Sequence, residues 1–182
     1  TFKTGGSAKY FVKVSDISSI RESISWANKK KVPFFILGGG SNILFSDEGY
    51  KGLIIKVENL GIKFEKNNIV ADAGVPFLKL VLSAKEKSLS GLEWAAGIPG
   101  TVGGAIFGNA GAFGGETKDN IKEVIALNIN TLEEKKFKNK DCGFSYRNSF
   151  FKKIKKYILV SATFALRKGD RKRIENEIKE NI

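Results

Sequence analysis

Few of the 182 residues can do chemistry unaided. Histidine is absent and Cys142 is the only cysteine. His-based zinc sites, Ser-His-Asp triads and histidine general bases are therefore excluded. So is an internal disulfide, which accords with a reducing compartment. A histidyl link to a cofactor is excluded by the same absence. Chemistry must come from Arg, Lys, Asp, Glu, Ser, Tyr, the lone thiol or a bound cofactor. Arginine stands only at 21, 147, 167, 171 and 173, so Arg147 is isolated in a chain that otherwise uses lysine. A guanidinium fork matches a carboxylate or phosphate. Taken alone, Arg147 reads better as one half of a surface ion pair.

Two glycine-rich segments are the other candidates. GGGSN at 38–42 follows the apolar run 34–37. A dinucleotide fingerprint would need glycine where Ile43 stands and a helix where Phe45, Ser46, Asp47, Glu48 and Gly49 give turn chemistry. A P-loop is excluded because no Gly-Lys-Ser/Thr follows. What remains is a run of small residues whose amides can converge on a phosphate, or a plain glycine turn.

The second segment, GIPGTVGGAIFGNAGAFGGE at 97–116, holds eight of the 20 glycines, and no charge occurs from 95 to 115. Gly100, Gly104 and Gly108 even repeat the spacing of a membrane helix contact. Yet only Ile98, Val102, Ile106, Phe107 and Phe113 are strongly apolar, and Glu93 and Glu116 flank the stretch without basic clusters. It is no membrane span. Flexible linkers use serine and polar residues rather than Ile, Val and Phe. The stretch reads as a backbone surface against which a large flat ligand can lie.

The elements that must position these segments follow from periodicity. Residues 10–14 alternate as a strand. Asp16 is placed to cap a helix with Ile17, Ile20, Ile24 and Ala27 on one face. With strands at 34–37 and 53–57, residues 1–58 form a β-α-β-β unit. A hairpin with Asn67-Asn68 as its turn joins strands 62–65 and 69–72. Pro76 begins a largely buried helix carrying Phe77, Leu78, Leu80, Val81, Leu82 and Ala84. Strands at 124–129 and 157–166, the first paired with 135–138, complete an α+β unit over 59–169. Residues 170–182 place Ile174, Ile178 and Ile182 on one helix stripe, with no cap and no apolar partner following. That helix is expected to lead into further protein.

Bulk composition suits a soluble globular chain. Hydrophobic residues make up 42% and charged residues 27%. No signal peptide opens the sequence, and the absence of an initiator Met reads as processing or trimming. The net charge of +12 is almost all lysine, scattered with modest clusters at 135–140, 152–156 and 167–173. It fits a solvated lysine-rich surface better than a nucleic-acid interface.

Three long motifs in one order carry a family resemblance. They are GGGSNILFSDEGYKGLIIKV at 38–57, GLEWAAGIPGTVGGAIFGNAGAFGGE at 91–116 and FSYRNSFFK at 144–152, preceded by TFKTGGSAKYFV at the start. Together they resemble the UDP-N-acetylenolpyruvoylglucosamine reductases, also called UDP-N-acetylmuramate dehydrogenases, flavoenzymes of peptidoglycan precursor synthesis in the bacterial cytoplasm. The resemblance implies an α+β fold of the vanillyl-alcohol oxidase type, with FAD held non-covalently between two subdomains, 1–58 and 59–169. It places the FAD pyrophosphate at Gly38, Gly39, Gly40, Ser41 and Asn42. It places the flavin along Gly97, Pro99, Gly100, Thr101, Gly103, Asn109, Ala110 and Gly111.

The implied reaction moves hydride from NADPH to flavin and then to the enolpyruvyl group of UDP-N-acetylglucosamine enolpyruvate. Arg147 corresponds to the family arginine that stabilises the resulting enolate, a role that needs cationic charge in a dry site. Tyr146 and Ser149 correspond to its local supports. The family's proton-donating serine and glutamate belong to a third domain whose motifs this sequence does not contain, so the chain is expected to be a truncated, inactive form. Two alternatives stay open: an FAD-dependent oxidase of the same fold acting on another substrate, and a basic nucleic-acid-binding module. The sequence leaves the oligomeric state undetermined.

Overall fold

The computed structural model describes residues 4–182. The first three residues of the opening motif lie outside the described residues.

Asp16 starts the first helix as its position predicts. Its carboxylate accepts from Ser19 N at 2.8 Å and from the Ser19 hydroxyl at 2.9 Å. Helix α1 (Ile17–Lys30) buries Ile20, Ile24 and Ala27. It covers one face of a three-stranded parallel sheet of β1 (Ala8–Val14), β2 (Phe34–Leu37) and β3 (Tyr50–Val57), in the order β1-β3-β2. Parallel neighbours need a crossover of about a dozen residues. Residues 38–49 supply the one between β2 and β3 without a helix. GGGSN therefore sits at the carboxyl end of β2, the end at which open α/β sheets take their ligands.

The second sheet is antiparallel, in the order β10-β9-β11-β5-β4. Its strands are β4 (Ile62–Glu65), β5 (Asn68–Asp72), β9 (Ile121–Asn128), β10 (Glu134–Lys138) and β11 (Tyr157–Ala165). The β4–β5 turn is Lys66-Asn67 rather than Asn67-Asn68. Glu65 pairs with Asn68, and Lys66 takes the left-handed conformation at φ 56. The ladder thus claims Asn68 and shifts the turn by one residue.

Pro76 is the N-cap of α2 (Phe77–Glu86) rather than its first residue, because its ψ of 132 is still extended. Phe77, Leu80, Val81 and Ala84 are buried. Leu78 and Leu82 are not, at 39% and 37% exposure. The helix is amphipathic, contrary to the expectation of near-complete burial.

The glycine-rich stretch contains a helix that its composition conceals, α3 (Val102–Gly108). Glycine costs about 1 kcal/mol per helical position, and three of the seven residues are glycine. Burial of Val102, Ala105 and Ile106 offsets this, since a buried Val or Ile contributes about 1.5–3 kcal/mol. Thr101 caps the start and left-handed Asn109, at φ 43, ends it. A hairpin of β7 (Gly111–Ala112) and β8 (Gly115–Glu116) follows, then the single-turn α4 (Thr117–Asn120).

Beyond β11, a short strand β12 (Arg167–Lys168) pairs with β6 (Leu89–Ser90). Helix α6 (Arg171–Glu180) is capped by Asp170 and buries Ile174 and Ile178 beside α2. Its end departs from expectation. Asn181 is the C-cap and donates from Nδ2 to Glu93 O at 3.1 Å, while Ile182 is exposed. The helix docks on its own chain through two isoleucines, not three. Buried apolar residues from both sheets form one connected cluster.

Candidate functional site

The two glycine-rich segments clasp each other. A Cβ on Gly38 would meet Thr101 Oγ1 at 2.7 Å, and one on Gly39 would meet Gly100 Cα at 3.0 Å. Ser41 Oγ donates to Pro99 O at 3.2 Å. Gly100 itself has φ 121, a conformation reserved for glycine. Main chain from one segment lies against main chain from the other, and side chains at 38, 39 or 100 would force them apart.

The clasp leaves donors free. No backbone amide from Gly38 through Asn42 finds an acceptor among the described residues. Gly38, Gly40 and Ser41 are half-buried and Gly39 and Asn42 are exposed, and such a run of unpaired amides suits an anionic oxygen-rich group such as a pyrophosphate. The start of α3 offers no such capacity. Its Val102 and Gly103 amides donate to Val75 O and Ala73 O, at 2.9 and 2.8 Å, and Gly104 N is held by Thr101 Oγ1.

Helix α3 then presents a bare face. A Cβ on Gly104 would meet only Thr101 Oγ1, at 3.6 Å, and one on Gly108 would meet nothing within 4 Å. These two residues are i, i+4 neighbours, and Phe107 beside them is 38% exposed. A flat ring can lie there against backbone. Gly103 does not share this face, since it packs inward on Ala73. Gly97 lies apart as well, against the Asn181 carbonyl.

At the far end of α3, ~10 Å along its axis by helical rise, Asn109 gathers three elements. It is 1% exposed. Its Nδ2 donates to Ser145 O at 3.0 Å and to Glu116 Oε2 at 3.1 Å, and its Oδ1 accepts from Lys118 N at 3.0 Å. Its side chain is thus committed to the protein. Ala110 is committed too: its amide donates to Ala105 O, and its carbonyl accepts from Thr117 N and Oγ1. Gly111 opens the β7–β8 hairpin.

Ser145 and Asn148 exchange both backbone hydrogen bonds at 3.0 Å, which makes Tyr146-Arg147 the tip of a two-residue turn. Arg147 is left-handed at φ 53 and exposed. Its guanidinium lies over the Tyr146 ring, 5.9 Å from the centroid. It makes no salt bridge among the described residues. Lys152 Nζ donates to Arg147 O at 2.9 Å. Ser149 is fully buried and does not touch the Arg147 side chain. Its hydroxyl donates to Phe107 O at 2.7 Å and caps α5 (Phe150–Ile154) through Lys152 N. It supports the turn by tying it to the end of α3.

Arg147 and Tyr146 border a cleft of about 410 Å³ with Asn109, residues 111–116, Lys118 and Asp119. Glu116 and Lys118 form an ion pair there. The hydrogen bond from Lys118, with that from Asn109, holds the Glu116 carboxyl below the usual glutamate range, and Arg147 adds attraction. Lys118 is raised in turn by Glu116. At the tip of the β7–β8 hairpin, Phe113 and Gly114 both have positive φ, 48 and 80. A left-handed Phe costs roughly 1–2 kcal/mol, and this one is 68% exposed. Cys142 takes no part: it is buried, which pushes its thiol up to about 12.

The structure brings Tyr146, Arg147, Asn109 and Gly111 to one cleft and clasps residues 38–39 on 100–101; Phe113, Glu116 and Lys118, which the sequence did not single out, line the same cleft. The i, i+4 spacing of Gly104 and Gly108, weighed only as a membrane signal, was the available clue to the bare face of α3. No helix among the described residues is long and apolar enough to cross a membrane.

The arrangement fits FAD, with free amides for its pyrophosphate and a bare helix face for its rings. Comparison with known proteins agrees. A family profile described as FAD binding domain matches residues 8–129. The UDP-N-acetylenolpyruvoylglucosamine reductase of Carboxydothermus hydrogenoformans is 42% identical over 183 residues, 99% of this chain and 60% of that protein. The enzyme of the same name from Fervidobacterium nodosum is 40% identical over 182 residues, 100% of this chain and 58% of that protein. The crystal structure of UDP-N-acetylenolpyruvylglucosamine reductase from Thermus caldophilus superposes with a TM-score of 0.80 at 26% identity, covering 94% of this chain and 60% of that one. A protein described as Physcomitrella patens BBE-like 1 shares the fold, with a TM-score of 0.64 at 21% identity over 86% of this chain and 36% of that one. The chain therefore spans about three fifths of the length of the reductases it matches. Its α+β fold is the FAD-binding fold that the resemblance implied, and the chain belongs to the FAD-binding domain family.

Proposed function

We propose that the chain is the FAD-holding part of a cytoplasmic UDP-N-acetylmuramate dehydrogenase, acting in the NADPH-dependent reduction of UDP-N-acetylglucosamine enolpyruvate. The observation that carries this reading is the clasp of residues 38–39 on 100–101, with the free amides of 38–42 on one side and, following in the chain, the bare face of α3 and the Asn109–Arg147 cleft on the other. FAD, when bound, supplies two-electron transfer between NADPH and the enolpyruvyl group. Residues on either side of residue 58 would hold the cofactor between them, without a covalent link.

The chain's own residues bind, orient and stabilise. Amides of residues 38–42 receive the pyrophosphate. Gly104 and Gly108 let the flat rings approach backbone. Arg147, fixed by the Asn109–Ser145 bond behind it, offers its fork to the substrate carboxylate and to the negative charge that develops next to it. Ser149 has no part in proton transfer, because its hydroxyl is buried and already given to Phe107 O.

Anaerobic stopped-flow spectroscopy tests this. NADPH should bleach the flavin absorbance of the FAD-loaded protein, and the enolpyruvyl-UDP-sugar should restore it once the region that the matched reductases carry beyond this chain is supplied. Bleaching without restoration by that substrate in the supplemented protein, with restoration by oxygen alone, would favour an oxidase.

A further inference from the structure

Phe113 sits badly by every local criterion. The turn it opens has positive φ at both central positions, which calls for Asn-Gly or Asp-Gly. The chain places Phe-Gly there instead. The ring gains little from folding, since the residue is 68% exposed and it enters no aromatic pair among the described residues. The tip is nonetheless held in place. A side chain on Gly115 would collide with the ring of Trp94, so the hairpin lies flat on that indole. The indole is itself fixed by Nε1 hydrogen bonds to Gly91 O and Asn120 Oδ1, at 3.0 and 3.3 Å.

Across the cleft the same anomaly recurs. Tyr146 is 82% exposed at the tip of another two-residue turn, beside left-handed Arg147. Strained residues at exposed tips cluster where ligands are gripped. Large exposed aromatics beside an unpaired guanidinium suit a ligand with a planar ring and an anionic group.

We infer that Phe113 is a specificity-determining contact that stacks on the base or nicotinamide ring of a nucleotide entering this cleft, with the Arg147 fork left to the substrate carboxylate. This rests on the proposed function for the cleft and adds a residue that reading does not use. Both proposed reactants, the UDP-sugar and NADPH, carry such a ring. The shared chemistry is a heteroaromatic ring joined to phosphate.

Four forms of the chain separate the outcomes: wild type, Phe113→Leu, Phe113→Trp and Phe113→Gly. Calorimetric titration with UDP and, separately, NADP⁺ should give binding to wild type for at least one probe. Its Kd should rise about tenfold or more in Phe113→Leu, the scale of a lost aromatic stack. Phe113→Trp should restore it. The probe that responds identifies the source of the ring. Phe113→Gly should keep or raise Tm, because it relieves the turn. The inference is overturned if wild type binds neither probe, if Phe113→Leu leaves both Kd values unchanged, or if Phe113→Gly lowers Tm. Loss of FAD affinity in Phe113→Leu, in place of a change for either probe, would also overturn it. Failure of wild type to bind FAD would instead count against the proposed function and leave the nucleotide titrations readable.

Discussion

Asn109 Nδ2 donates to Ser145 O at 3.0 Å. That bond ties the end of α3 to the backbone of the turn that carries Arg147, across 35 intervening residues. The same Asn109 group also reaches Glu116, and its Oδ1 accepts from Lys118 N. A single buried amide thus holds the turn, the β7–β8 hairpin and the helix end together.

Asn109→Ala should be costly. It removes three hydrogen bonds, worth about 1 kcal/mol each, and leaves alanine in a left-handed position that asparagine tolerates better. Tm should fall by about 6–12 °C for a chain of this size, as read by circular dichroism. A fall of less than about 2 °C would show that the hub is not load-sharing. Asn109→Gly should fare only slightly better, because it suits the backbone but restores no bond.

Gly104→Leu should separate folding from binding. A Cβ at this exposed position meets only Thr101 Oγ1, at 3.6 Å, and leucine improves helix propensity by roughly 1 kcal/mol. Tm should hold or rise by about 2–4 °C, while the Kd for FAD rises more than about tenfold. Gly100 and Gly103 are poorer probes: the first needs φ 121 and the second abuts Ala73 Cβ at 3.0 Å. Substitution there perturbs folding first. A Gly104→Leu protein with unchanged FAD affinity would remove the α3 face from the cofactor site.

Arg147→Lys keeps the charge and loses the fork. With FAD content and Tm unchanged, and with the region that the matched reductases carry beyond this chain supplied, the rate at which the enolpyruvyl substrate reoxidises reduced flavin should drop by about 10²–10³-fold, the scale of one lost donor to a developing oxyanion. Rapid-mixing absorbance measures it. A change of less than about threefold would return Arg147 to the status of a surface cation.

Glu116 makes part of the stability acid-sensitive. Its folded-state pKa lies below the ordinary value of 4.5, first through Lys118 and then through Asn109. A depressed carboxyl pKa stabilises the folded state above its unfolded value, and this is lost as pH falls through the folded one. The Tm difference between wild type and Glu116→Gln should therefore be constant at pH 6–7 and should shrink below about pH 4.5. A difference that widens on acidification would contradict the assigned sign.

Much of this was legible in the sequence because it depends on local rules. Asp16 capped α1 as placed, and Ile20, Ile24 and Ala27 were buried as their spacing required. The long strands of the second sheet were readable from their apolar runs, and GGGSN stood where the end of β2 put it. What escaped depended on partners far away in the chain. Helix α3 exists because Val102 and Ile106 are buried against distant strands, which overrides the poor propensity of its glycines. Leu78 and Leu82 looked buried because composition does not say how wide a helix's covered face is. The Lys66-Asn67 turn was missed by one residue because strand register, not turn preference, decided it. In the site, the family motifs pointed to Arg147 and to the clasping glycines. They did not say that Asn109 serves the protein itself, or that Phe113 is held out over the cleft.

The central claim is that the surface from residues 38–42 along α3 holds FAD. Titrating the purified 182-residue chain with FAD, followed by quenching of flavin fluorescence and by the visible spectrum after gel filtration, tests it most directly. The account predicts one FAD per chain, released intact on denaturation and sharply weakened in Gly104→Leu. A folded wild-type chain that elutes colourless and leaves flavin fluorescence unchanged would contradict it.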